Sequence, residues 1–191
     1  MDWASLFNYT PSSLIMAKSK VPLILKTSFT STTAEQVAGE QKAIDLSAYV
    51  DPLSGKVLQI TRVSFSVDLG TGAAIPTTYY EADAPNGTMQ LTTGTQTALI
   101  GPQDDRNIAS SQYYYQAVDT NGASTAPSWF AVLPVAELGF FVAADALTFM
   151  NLTGGNPFDD DVRFAVVIEA MRVKLTTADI NFLLVNQTFT G

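Results

Sequence analysis

The densest group of side chains able to bind a ligand is three consecutive carboxylates, Asp159, Asp160 and Asp161. The flexible segment 154–157, Gly-Gly-Asn-Pro, precedes them, and their oxygens are of the type that Ca²⁺ prefers. Their spacing differs from that of an EF-hand loop, in which ligands alternate with other residues and the last ligand is a glutamate. Two interpretations stay open: an acidic loop in solvent, and a Ca²⁺ site at a subunit interface.

Aromatic residues concentrate in two strand-like runs, with Tyr113, Tyr114 and Tyr115 in the first and Trp129 beside Phe130 in the second. Aromatic rings on strands usually belong to a core or to an interface, where the tyrosine hydroxyl reaches water. A row of rings is also a platform on which sugars stack. We expect a core or an aromatic subunit interface, with carbohydrate stacking as the alternative.

Most catalytic chemistry is excluded by two residue types that the chain lacks. It has no histidine and no cysteine, so it cannot form a Cys/His zinc site, a thiol nucleophile or a Ser-His-Asp triad. Glu81 and Asp83, beside two tyrosines, would suit a glycosidase acid and base only if a cleft set their separation. We expect that the chain is not an enzyme. A glycoside hydrolase or lyase that uses these two acids, or those at 159–161, is kept as a third hypothesis after the two binding or structural functions given below.

Residues 1–20 have a composition of their own, apolar and aromatic first and then basic. The side chains that we expect to anchor this arm to a neighbouring subunit or to a membrane are Trp3, Leu6, Phe7, Lys18 and Lys20. The first three have i, i+3, i+4 spacing, so one helical turn would present them together. An aromatic and basic arm suits an anionic lipid surface or an acidic neighbour. Packing on its own domain is the other interpretation.

Beyond the arm, the apolar pattern is that of an all-β domain, 21–191. The runs that predict strands are 21–30, 57–69, 75–82, 88–100, 111–118, 128–134, 138–143, 146–152 and 162–175. The alternation changes phase at Thr61-Arg62 and again near Glu169-Ala170, as expected where a bulge inserts one residue. Both long strands are therefore predicted to carry a bulge.

Two segments between and after these runs are less regular. Residues 31–47 predict a long loop or a short helix. Thr177 begins a segment that fits a capped helix with Ile180, Leu183 and Leu184 on one face, or else a final strand.

Eight to nine strands with uneven connections predict a single jelly-roll β-sandwich with an N-terminal arm. We expect the first and last strands to lie close together in one sheet.

The balance of charge bears on the partners. Eighteen acidic residues against ten basic ones give a net charge of −8. Nucleic-acid binding over a broad surface needs clustered lysine and arginine to neutralise phosphates, so we expect no extensive nucleic-acid contact. The first residues lack the pattern of a signal peptide, and no run of 18 apolar residues is present, so we expect neither a signal peptide nor a transmembrane segment.

The arm 1–20, the opening strand 21–30, the bulged strand 57–69 and the closing strand 162–175 together resemble single jelly-roll capsid proteins of tailless icosahedral viruses, especially those with an internal membrane. The resemblance covers most of the chain and is architectural, without a diagnostic short motif. It implies a non-enzymatic coat subunit of the virion that self-assembles into an icosahedral shell with copies of itself and with other capsid proteins.

The acidity of the chain makes this resemblance more specific. Shells that touch the genome usually carry a basic arm, whereas this chain has three lysines near its start, the third being Lys26. The resemblance therefore implies a shell over an internal lipid membrane, with no cofactor other than Ca²⁺ at a subunit interface. A carbohydrate-binding or adhesive β-sandwich is the alternative function, because a fold of this class does not decide the function.

Overall fold

The computed structural model describes residues 22–75, 84–115, 128–132 and 139–188. Within these ranges the chain forms nine strands and two α-helices. They are β1 (Leu23–Ser31), α1 (Thr33–Ala38), β2 (Glu40–Asp45), β3 (Lys56–Asp68), β4 (Asn86–Thr93), β5 (Asn107–Tyr114), β6 (Ser128–Val132), β7 (Phe140–Val142), β8 (Ala146–Thr153), β9 (Val162–Lys174) and α2 (Thr177–Thr188). The strand predicted over 75–82 lies outside the described residues, apart from Ile75, which belongs to no strand.

The strands form two antiparallel sheets that pack as a sandwich. The first sheet has the order β1-β9-β3-β7, and the second has the order β2-β8-β4-β5-β6. The chain passes from one sheet to the other between β1 and β2, between β2 and β3, and between β3 and β4. Without β6, which extends one edge, the remaining eight strands have the winding of a jelly roll. The all-β jelly-roll prediction is confirmed, and the first and last strands are neighbours.

Strand β9 lies at the centre of the first sheet and pairs along its length with both neighbours. It pairs with β1 from Leu23↔Ala170 to Ser31↔Val162, and with β3 from Lys56 to Asp68. The register between β3 and β9 shifts between Ile60 and Arg62. The bulge predicted at Thr61-Arg62 is therefore confirmed.

The second bulge, predicted in β9 near Glu169-Ala170, is wrong. The register shift between β3 and β9 lies opposite Glu169 and Ala170, but the extra residue belongs to β3, and β9 pairs with β1 without a break from Val162 to Ala170. The apolar pattern changes phase there because Val173 packs on the outer face of the sheet, in a cluster that α2 completes with Ile180. At this end of β9 the apolar side chains lie on the outer face, whereas Arg172 and Lys174 on the other face are exposed, and no extra residue is inserted in β9.

The segment 31–47 contains both a helix and a strand. The side chains of Thr32 and Glu35 form a capping box that starts α1, as the short-helix prediction allowed. Strand β2 follows and was missed, because three of its six residues, Glu40, Lys42 and Asp45, are charged. Charged side chains are common on edge strands, where they discourage pairing with other chains.

Helix α2 confirms the helical interpretation of the C-terminal segment. Its cap is Thr176, one residue earlier than predicted, and the Thr176 hydroxyl oxygen accepts a hydrogen bond from the Asp179 N–H at 3.3 Å. Near its end the buried Gln187 side chain accepts a hydrogen bond from the Ala143 N–H and donates one to the Phe141 carbonyl. The amide thus occupies backbone groups of the edge strand β7.

Seven aromatic rings in contact run through the space between the sheets. Neighbouring ring centroids are 4.9–6.0 Å apart along the series Phe65, Phe149, Phe29, Phe164, Tyr113, Phe158 and Tyr115. The series passes from β3 to β8, back to β1 and β9, and then to β5, so it crosses the interface between the two sheets three times, and it ends at Phe158 and Tyr115 in the adjoining loops. Aromatic pairs at these distances stabilise a core beyond the area that they bury.

A second connection runs through one polar side chain, the fully buried Gln36 of α1. Its Nε2 donates to the carbonyls of Ser31 and Asp160 at 3.3 and 3.2 Å, and its Oε1 accepts from the Phe158 N–H at 2.8 Å. These bonds fix the segment before β9, and with it Phe158 of the aromatic series.

We expect Gln36→Ala to lower the free energy of unfolding by about 2–3 kcal/mol, because a buried N–H and two carbonyls lose their partner. Urea denaturation measures this change. Gln41→Ala, on the exposed side of β2, is the matched control and should change stability by less than about 0.5 kcal/mol. Equal losses in the two variants would contradict the role of Gln36.

Candidate functional site

Residues 94–106 fold back over the outer face of the second sheet. The buried Gln90 side chain donates to the Ile100 carbonyl at 2.8 Å and accepts from the Ile100 N–H at 2.9 Å. The Thr148 hydroxyl donates to the Gly94 carbonyl at 2.7 Å. The predicted strand over 88–100 is therefore too long: it ends at Thr93, and its last apolar residues pack against the sheet from outside.

The loop 94–106 forms one wall of an open groove of about 440 Å³. Its other walls come from β4, β5 and β8. The side chains that give it its chemistry are Tyr114, Gln112, Thr88, Leu99 and Leu152. An exposed aromatic ring with an amide and a hydroxyl beside it is suited to a polar ligand that also has an apolar face, such as a sugar.

The aromatic cluster predicted from sequence is divided by the alternation of β5. Tyr113 and Tyr115 are 2% and 5% exposed and belong to the aromatic series of the core, whereas Tyr114 is 45% exposed. Burial raises the pKa of the Tyr113 hydroxyl, which stays neutral at physiological pH. Tyr113 and Tyr115 therefore belong to the core, one of the two placements expected from sequence, and Tyr114 is the ring exposed to solvent. Trp129 pairs with Tyr113 through the backbone, and its side chain lies outside the described residues.

The three carboxylates Asp159, Asp160 and Asp161 are all exposed and lie just before β9. Their loop is positioned by hydrogen bonds of its backbone, since the Asp160 carbonyl accepts from Gln36 and the Asp161 N–H donates to the Asp160 carboxylate at 2.8 Å. Among the described residues, no three acidic side chains lie close enough to hold a metal ion within one chain. A Ca²⁺ shared between subunits stays a prediction.

The four arginines of the chain all have aromatic or acidic partners. Arg62, Arg106 and Arg163 form ion pairs with carboxylates, and the guanidinium of Arg172 lies 5.9 Å from the centre of the Tyr49 ring. Their charges are therefore balanced or covered, and the described part of the chain presents no arginine cluster of the kind that grips phosphates.

Helix α2 carries apolar side chains that the sequence analysis did not single out. Ile180, Leu183 and Leu184 face the sheet, as predicted, but Phe182 and Val185 are 68% and 55% exposed. The sequence could have indicated this exposure, because Phe182 and Val185 are apolar and fall outside the predicted apolar face of the helix. Neither helix in the described ranges is long and apolar enough to cross a membrane.

Several predicted site residues lie outside the described ranges. They are the arm residues Trp3, Leu6, Phe7, Lys18 and Lys20, and the carboxylates Glu81 and Asp83. Of the predicted candidate groups, the described residues include the three carboxylates at 159–161 and the three tyrosines 113–115, and the three carboxylates are not grouped around one point. The groove beside Tyr114 and the exposed face of α2 were not predicted from the sequence and are seen only in the structure.

Comparisons with known proteins do not assign a family. No family model matches the chain, and no curated protein matches it. Among solved structures, a chain of Desmodium yellow mottle tymovirus is 11% identical in sequence, and the alignment covers 87% of this chain and 95% of that chain. The TM-score of 0.30 is too low to establish a shared fold. The fold assignment therefore rests on the strand order of this chain itself.

One ion pair fixes the loop beside the groove and makes it sensitive to acid. Arg106 holds Asp104 through two hydrogen bonds of 2.9 and 2.7 Å, and the two side chains are only 17% and 20% exposed. The hydrogen bond from Arg106 keeps the pKa of the Asp104 carboxyl below its ordinary value. This pair therefore stabilises the fold above the unfolded pKa of aspartate, near 4, and loses that contribution as the pH falls through the lower folded pKa.

We expect Asp104→Asn to lower the free energy of unfolding by about 1 kcal/mol at pH 6, and by progressively less as the pH approaches 2. Urea denaturation along a pH series measures the difference from the unmodified chain. Asp105→Asn, which removes the same charge from the exposed neighbour, should leave the pH dependence nearly unchanged. A difference at Asp104 that did not shrink in acid would contradict the ion-pair explanation.

Proposed function

We propose that this chain is a structural coat subunit that self-assembles into a closed icosahedral shell and catalyses no reaction. The observation that carries the proposal is the jelly-roll strand order, β1-β9-β3-β7 against β2-β8-β4-β5. Jelly rolls of this winding serve chiefly as capsid domains, as lectins and as cupins. The usual cupin metal site needs histidines, which this chain lacks. Because the fold alone does not decide the function, the coat subunit is compared below with a carbohydrate-binding module.

The exposed side of α2 favours the coat subunit. Helix α2 packs across the outer face of β9, β3 and β7, and its Phe182 and Val185 side chains stay exposed. Exposed apolar side chains of this kind are suited to a contact with a neighbouring subunit.

The partners that we propose are copies of this chain, other capsid proteins and an internal lipid membrane, in the virion. Lipid is favoured over nucleic acid as the material inside the shell because the net charge is −8 and three of the four arginines are paired with carboxylates. In this proposal the arm residues Trp3, Leu6 and Phe7 anchor the subunit, and Lys18 and Lys20 follow as its cationic part.

We expect the triple variant Trp3→Ser, Leu6→Ser, Phe7→Ser to lose assembly while the β-sandwich stays folded. The physical reason is that burying each of these side chains contributes about 1.5–3 kcal/mol to a contact. Static light scattering with negative-stain microscopy measures assembly, and circular dichroism with urea denaturation measures folding. Val37→Ser, on the exposed face of α1, is the control for loss of surface apolarity.

The triple variant distinguishes a role of the arm in assembly from a role in the folding of its own domain. Shells that form normally from the triple variant would contradict the role of the arm. Loss of folding together with assembly would mean that the arm belongs to the core of its own domain. Normal assembly of Val37→Ser is required for either conclusion.

The second candidate is a carbohydrate-binding module, and the groove beside Tyr114 favours it. A sugar ring on Tyr114, with hydrogen bonds to Gln112 and Thr88, would use the two kinds of side chain that the groove provides. If this candidate is right, an oligosaccharide from a panel should bind the groove and shift the amide signals of β4 and β5, which ¹H–¹⁵N NMR measures. Tyr114→Ala should abolish the shifts while the Tyr113 core stays intact, and a panel without any shift would eliminate this function.

A further inference from the structure

The groove beside Tyr114 continues into a second open groove, of about 280 Å³, on the same outer face of the second sheet. Leu99 of the covering loop and Leu152 of β8 line both grooves, so these two side chains lie where the grooves meet. The second groove adds the exposed residues Gln41 of β2 and Thr97 of the loop. Together the two grooves form one surface, the outer groove, with Tyr114 at one end and Gln41 at the other.

The outer groove crosses four strands at the same register. Thr88 of β4 pairs with Gln112 of β5 on one side and with Leu152 of β8 on the other. Gly39, directly before β2, completes this row, since a Cβ atom on it would lie 3.1 Å from the Leu152 Cδ1 atom. Adjacent strands are about 4.8 Å apart, so the row is about 14 Å long. The outer groove therefore suits a chain-like ligand rather than a single small molecule.

The charge of the lining residues favours a neutral ligand. In the described part of the chain, no lysine or arginine lines either groove. The one acidic residue among the described lining residues is Glu40, whose carboxylate accepts a hydrogen bond from the Ser31 hydroxyl of β1. Because β1 belongs to the first sheet, this carboxylate points away from the outer face. The groove thus lacks the cations that bind phosphates and other anions, and its amides and hydroxyls can exchange hydrogen bonds with neutral hydroxyl groups.

The pairing of the second sheet favours a sugar over an extended peptide. Strands β8, β4 and β5 each have a neighbouring strand on both sides, so their backbone groups are already used in the ladders. A peptide that adds a strand needs free backbone groups at a sheet edge, whereas the outer groove offers side chains. The exposed ring of Tyr114 beside Gln112 and Thr88 combines an apolar surface with hydrogen-bonding groups, which matches the apolar face and polar rim of a sugar ring.

We propose that the outer groove binds a neutral linear oligosaccharide of about four units, roughly one for each strand that it crosses. One ring of this oligosaccharide lies on Tyr114, and the other end of the chain lies beside Gln41. The inference rests on the second candidate function, because it extends the ligand of the groove beside Tyr114 as far as β2. It is compatible with the coat function, since α2 packs on the outer face of the first sheet, on the opposite side of the sandwich.

The experiment measures the binding of neutral linear gluco-, manno-, galacto- and xylo-oligosaccharides of one to six units to the full chain by isothermal titration calorimetry. In at least one series the dissociation constant should fall about tenfold between two and four units. It should change little beyond four units, because further rings extend past the outer groove. In ¹H–¹⁵N NMR the four-unit sugar should shift the amide signals of Gln41 and Thr97 together with those of Thr88 and Gln112.

Side-chain variants test the two ends of the outer groove separately. Gln41→Ala should weaken the binding of the four-unit sugar about fivefold more than that of the two-unit sugar, because only the longer chain reaches β2. Tyr114→Ala should weaken the binding of both. Gln103→Ala, at an exposed glutamine outside both grooves, is the matched control and should change neither. Urea denaturation verifies that each variant is folded.

The outcomes separate this inference from the function on which it rests. Affinity that does not depend on chain length, with NMR shifts confined to β4 and β5, would overturn the outer groove as one site and leave a single-sugar site beside Tyr114. An equal effect of Gln41→Ala on both chain lengths would overturn it in the same way. No binding by any sugar of the panel would contradict the carbohydrate function and the outer groove together, and would leave the coat function intact.

Discussion

The contact between the two sheets is the constraint on which the rest of the structure depends, and a series of aromatic rings makes it. Phe29 and Phe164 of the first sheet touch Phe149 and Tyr113 of the second, with centroids 5.0 and 5.8 Å apart. Because Tyr113 is needed there, its neighbour Tyr114 must point outward, since successive residues of a strand face opposite sides. The core therefore decides which aromatic ring is left for a ligand.

The two edges of the first sheet differ in the side chains that occupy their backbone groups. At β7 the Gln187 amide takes up backbone groups that an added strand would use. At β1 the Lys42 ammonium of β2 donates to the Ser28 carbonyl, so one backbone acceptor in the second half of this edge strand is already occupied. The arm leaves from the other half, at Leu23.

Sequence periodicity predicted the parts of the fold in which one face is buried. Strands β1, β3 and β9 alternate cleanly, and the bulge at Thr61 was visible as a change of phase. The pattern failed where a third layer covers the sheet. Val173 is apolar because it packs against α2, and this changes the phase of the sequence pattern in the way that a bulge would. The apolar residues of the loop 94–106 up to Ile100 pack on the sheet from outside, and in the sequence they look like a continuation of β4. The exposed face of α2 was overlooked because a helical pattern alone does not say which side meets the sheet.

The measurement that tests the account most directly is light scattering combined with negative-stain microscopy of the purified full chain, at low and high salt and with and without Ca²⁺. A self-assembling jelly-roll subunit should form rings, capsomers or closed shells of uniform diameter in at least one of these conditions. A monomer in every condition would contradict assembly by this chain alone. The groove beside Tyr114 would then become the leading functional site.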